Sequence, residues 1–162
     1  MADNESPSIK KIANPAGLGL LAFGMTTVLL NIHNLGLFAA DATILAMGIF
    51  YGGIAQVIAG IFEFKAGNTF GATAFTSYGL FWLTFVFISL PVFNGGDGMA
   101  IAAVPVSLAA YFAIWGVLTA FLFIGTLKGV RTLQIVFATL AILFFLVAIS
   151  KGIGSVEVGY VA

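Results

Sequence analysis

The chain has 162 residues, of which 61% are hydrophobic and 7% charged, with six Lys+Arg against six Asp+Glu. Its mean hydropathy is +1.15, whereas a soluble domain carries about 25% charged residues, so the composition is that of a bilayer protein. The balanced, unclustered charge excludes nucleic acid as a partner. The absence of cysteine and the single histidine exclude a disulfide framework, a thiolate nucleophile and a zinc centre, and no other metal or cofactor is implied.

Residues 1–13 form a polar tail whose acids precede the Lys10–Lys11 pair, the wrong order for a cleavable signal. Residues 14–162 read as one transmembrane transport domain. The stretch NPAGLGL opens it: Asn14 is suited to cap a helix, Pro15 to its first turn, and Gly17 and Gly19 leave the backbone N–H groups open to a neighbour or an anion. The first apolar segment runs 15–32 and ends at His33-Asn34-Leu35-Gly36.

The second segment, 43–64, follows Asp41, which is placed to cap it. Gly48, Gly52, Gln56 and Gly60 recur every fourth residue and share one helical face, smooth enough for two membrane helices to touch. Gln56 is a mid-span amide that must either bond a neighbouring helix or face a wet path. Glu63 and Lys65 stand at the end of the span, where side chains reach the interface.

Asn68 is placed to cap the third segment, 70–91, which carries Thr73, Ser77, Tyr78 and Trp82. After a loop containing Asn94-Gly95-Gly96-Asp97-Gly98 comes the fourth segment, 105–127, with Ser107, Tyr111, Trp115 and Thr119 on one face; interhelical hydrogen bonding and aromatic packing account for such stripes. The Tyr-x-x-x-Trp common to both segments hints at an internal repeat. The fifth, 132–150, follows Lys128-Gly129-Val130-Arg131. All five are long and apolar enough to cross as helices. Lys10, Lys11, Lys65, Lys128 and Arg131 fall on one side, so the amino terminus is expected in the cytoplasm of a multi-pass protein of the cell membrane.

No Ser/His/acid set, carboxylate pair or metal-ligand spacing appears in the spans, so an enzyme is not expected. The rival to a transporter is a structural or signalling membrane protein whose glycine faces and aromatics only hold an assembly together.

NPAGLGL resembles the NPAPLGL signature of the acetate uptake transporter family, also called GPR1/FUN34/YaaH or succinate–acetate permease, with Gly17 where the family's second proline stands. FYGGIAQVIAGIFEFKAGNTFGATAFTSYGLFW, residues 50–82, is similar to the family's second and third helices, and WGVLTAFLFIGTLKGVRTLQ, 115–134, to its fourth helix and following loop. The resemblance implies an all-α polytopic bundle of six helices, the sixth beyond the five readable here, assembled as a homo-hexamer in the bilayer. It implies transport of acetate and related small carboxylates such as succinate through each protomer, channel-like or proton-coupled. Carried over by motif, Phe23, Tyr78 and Leu140 form a narrow point. With no charged group mid-span, the carboxylate is expected to meet neutral groups: Gln56, Thr27, Ser77, Trp82, the Tyr78 hydroxyl and the helix start at Asn14, Pro15 and Gly17.

Overall fold

The computed structural model describes residues 12–90 and 104–154. Five helices in it are long and apolar enough to span a bilayer: α1 (Ala16–Asn34), α2 (Ala42–Lys65), α3 (Thr69–Ser89), α4 (Pro105–Thr126) and α5 (Arg131–Ile153). Lys10 and Lys11, the loop at 94–98 and the approach to a sixth helix at 155–162 lie outside the described residues.

The helix starts follow local chemistry. The Asp41 side chain accepts from Thr43 N–H at 2.8 Å and Asn68 from Gly71 N–H at 3.1 Å, each satisfying an otherwise orphaned donor. Asn14 accepts from Ala16 N–H at 3.0 Å, with Pro15 already in right-handed helical geometry at φ −81°. Gly36 and Gly67 end α1 and α2 at φ +77° and +76°, a conformation that β-carbon-bearing residues rarely adopt. Helix α5 runs past Ser150 to Ile153, so Lys151 is helical and not a loop residue as the hydropathy limit suggests.

Helix α2 departs from the continuous α-helix expected. Met47–Ala55 is π-helical, between α-helical turns at Ala42–Ala46 and Gln56–Lys65. The wider i→i+5 turn is rare and concentrates at functional sites. Its glycines permit close approach: a Cβ at Gly52 would lie 2.8 Å from Thr26 Cγ2 and 2.9 Å from Trp82 Cγ, and one at Gly48 2.6 Å from Val86. Further along, a Cβ at Gly60 would collide with the Thr76 hydroxyl. The small-residue face therefore packs against α1 and α3, as its spacing predicts. Gly17 differs: a side chain there would meet nothing within 4 Å, whereas one at Gly19 would strike the Phe75 ring at 2.7 Å, so the contact glycine of the opening motif is the second.

Helices α1, α2 and α3 form one packed group and α4 and α5 another. Between them lies an aromatic core in which the Phe81 ring meets Phe85, Tyr111, Trp115 and Phe144 at centroid separations of 5.1–5.9 Å. The Glu63 side chain does not reach outward from the helix end. It is 2% exposed, because the turn into α3 folds Asn68 back to donate to Glu63 Oε2 at 2.7 Å.

Candidate functional site

A cavity of about 980 Å³ lies between the two helix groups, at the end where α1, α3 and α5 finish and α4 begins. Its walls include Thr27 and Asn31 of α1, Trp82 of α3, Phe112 of α4 and Phe144 of α5. Lys151 and His33 also line it. On the far side of a neck is a void of about 30 Å³, walled by Leu20, Gln56, Phe75, Tyr78 and Phe137. Phe23 and Leu140 line both spaces, so they stand between them.

The neck is built from three helices. The Phe23 and Tyr78 rings are 5.5 Å apart, Tyr78 and Phe137 are 6.1 Å apart, and Leu140 is buried one turn beyond Phe137 on α5. The three side chains carried over by motif are therefore brought together. Phe137 joins them. Its signal in the sequence was its place three residues before Leu140, which puts both on one face of α5.

The polar candidates divide. Gln56 is 1% exposed, lines the small void, and neither its Nε2 nor its Oε1 has a hydrogen-bond partner among the described residues. Trp82 lines the large cavity, and its indole N–H is likewise without a partner there. Thr27 lines the large cavity but its hydroxyl donates to Phe23 C=O at 2.8 Å, the usual helical back-bond. The Tyr78 hydroxyl, expected to face the substrate, instead donates to Thr119 Oγ1 at 3.0 Å.

Ser77 lines neither space. It follows from helix geometry, since adjacent residues are turned about 100° apart and Tyr78 takes the inward direction. Asn14, Pro15 and Gly17 also line neither space. Asn14 and Gly17 are exposed at the start of α1, and it is Leu20, one turn further in, that reaches the void. Lys151 was missed because hydropathy ended the span at Ser150; the helix runs on to Ile153 and Lys151 is among the residues that line the cavity.

Among the described residues no group of three or more His, Asp or Glu could hold a metal ion. The arrangement is a wide cavity with Lys151 and His33 among its lining residues, a small void beside it, Phe23 and Leu140 shared by the two, and the Gln56 amide lining the void without a partner among the described residues.

Residues 2–162 match the GPR1/FUN34/yaaH family. The succinate-acetate/proton symporter SatP of Escherichia coli strain K12 is 57% identical over 148 residues, which cover 91% of this chain and 77% of that protein. Acetate permease A of Emericella nidulans is 34% identical over 90% of this chain and 51% of its own length. A solved structure of the bacterial acetate channel SatP superposes with a TM-score of 0.86 at 56% identity, covering 93% of this chain and 82% of that one. With the five spans, the matching fold and the family match over nearly its whole length, the chain belongs to the GPR1/FUN34/yaaH family of membrane proteins.

Proposed function

We propose that this chain carries acetate and related small carboxylates across the membrane through the interior of one protomer. The observation that carries this reading is that Phe23 and Leu140 line both the large chamber and the small void, which supports a route that passes from one to the other between them. The relatives named for succinate, acetate and proton transport support the substrate class.

A carboxylate is concentrated at the chamber by the positive charge of Lys151 and sheds water at the neck. Burying it unpaired is costly. Gln56 Nε2 supplies a donor immediately behind the neck, and Trp82, which lines the chamber before it, holds a buried indole N–H with no partner among the described residues. Both are neutral, so the ion is held weakly and leaves readily, as conduction demands. Phe23, Tyr78, Phe137 and Leu140 act as the size filter. The distribution of basic residues supports an orientation with the chamber on the outer side and the amino terminus in the cytoplasm, which a cysteine introduced at Ile12 into this cysteine-free chain would report through one-sided labelling. Exposed apolar side chains along α1, α4 and α5, such as Val28, Ile114, Phe121 and Ile142, suit the homo-hexamer that the resemblance implies.

Radiolabelled acetate should enter liposomes containing the protein and not empty ones, and Tyr78→Ala should shift uptake towards larger carboxylates. Equal entry into both kinds of liposome would leave the rival, an assembly without transport, in its place. A pH dye inside the liposomes separates proton-coupled passage, in which the signal tracks acetate entry at clamped voltage, from conduction of the anion alone.

A further inference from the structure

We propose that Thr119 is a positioning residue that sets the substrate selectivity of the neck by holding Tyr78 as a fixed wall. This inference rests on the reading of Tyr78 as part of the transport constriction.

The argument is one of protons. Tyr78 and Thr119 each have one hydroxyl proton. Thr119 Oγ1 gives its proton to the Trp115 carbonyl at 2.7 Å, so its oxygen can only accept from Tyr78, which donates to it at 3.0 Å. Both residues are deeply buried, at 0% and 3% exposure. A carboxylate is an acceptor only, so Tyr78 can offer it nothing without breaking this bond inside the protein, where an abandoned partner is expensive. The ring is held twice over: it packs against both Phe23 and Phe137, and its oxygen is tied to another helix.

The tie also crosses the seam between the two helix groups. Tyr78 of α3 reaches Thr119 of α4, while Tyr111 of α4 pairs with Thr84 of α3 at 2.8 Å. In one the tyrosine stands on α3 and in the other on α4, so two hydroxyl pairs tie α3 to α4. The width of the neck is therefore set from behind the ring, by a residue that lines neither cavity.

The test uses uptake of acetate and of a four-carbon monocarboxylate into liposomes containing the full chain as wild type, Tyr78→Phe, Thr119→Val and Thr119→Ser. If Thr119 positions the ring, Tyr78→Phe and Thr119→Val both raise the ratio of four-carbon to acetate uptake by about fivefold, the equivalent of one lost buried hydrogen bond of about 1 kcal/mol. Thr119→Ser, which keeps the acceptor, retains the wild-type ratio. The proposal is overturned if Thr119→Val leaves the ratio unchanged. It is also overturned if Thr119→Val lowers the KM for acetate while Tyr78→Phe raises it, since the hydroxyl would then be a substrate donor. Should Thr119→Val fail to fold by gel filtration in detergent, an unchanged ratio in Tyr78→Phe overturns the proposal and a raised one, with Thr119→Ser normal, supports it. Failure of the constriction reading is distinct: Tyr78→Ala would then leave the ratio where it was.

Discussion

Replacing Gln56 by Met separates function from stability more cleanly than any other single change. The side chain is 1% exposed and both of its polar atoms are without a partner in the protein, so Met, of similar length, removes an amide and orphans no protein group. An unsatisfied buried group costs about 1–3 kcal/mol. The substitution should therefore stabilise the fold, raising the apparent melting temperature in detergent by roughly 2–12 °C at about 2–4 °C per kcal/mol. Transport should move the other way. A hydrogen bond to a charged group is worth about 1.5–3 kcal/mol, so the passing carboxylate loses roughly 10- to 150-fold in uptake efficiency. Initial rates of radiolabelled acetate uptake in proteoliposomes, beside thermal unfolding of the same preparation, measure both. Unchanged uptake, or a melting temperature lowered by several degrees, would refute the assignment of Gln56 to the substrate.

Gly60→Val should destabilise the chain by about 1–3 kcal/mol or prevent assembly, because the added carbons would run into Thr76 across the α2–α3 crossing; detergent gel filtration and thermal unfolding check this. Glu63→Leu should cost about 1–3 kcal/mol by stranding the Asn68 amide that now donates at 2.7 Å. Glu63→Gln, whose side-chain oxygen still accepts, should melt close to wild type. His33→Ala should leave the pH profile of acetate uptake intact, since simple carboxylic acids themselves titrate at about pH 4–5; a flattened profile would show that His33 relays the proton.

What the sequence disclosed depended on how local the cause was. The five spans follow from apolar runs, and Asp41 and Asn68 cap as expected because a cap needs only residues two or three positions away. The glycine face of α2 was readable from spacing, but not that Met47–Ala55 would wind as a π-helix, since packing against α1 and α3 decides which carbonyl each N–H meets. Glu63 looked interfacial by its distance from the span's centre; the tight turn that brings Asn68 over it is a feature of the fold. That Phe23, Tyr78 and Leu140 lie together was visible only through resemblance. The fate of the Tyr78 proton was invisible, because its acceptor is 41 residues away on another helix.

The small void has a consequence for rate. At about 30 Å³ it is far smaller than the chamber of about 980 Å³ on the other side of Phe23 and Leu140. In the transport function proposed above, a carboxylate passes between the two spaces when Phe23 or Leu140 swings aside for a moment. Turnover then keeps time with rotamer motion of two hydrophobic side chains, so throughput should climb steeply on warming and fall when either is exchanged for a stiffer β-branched residue.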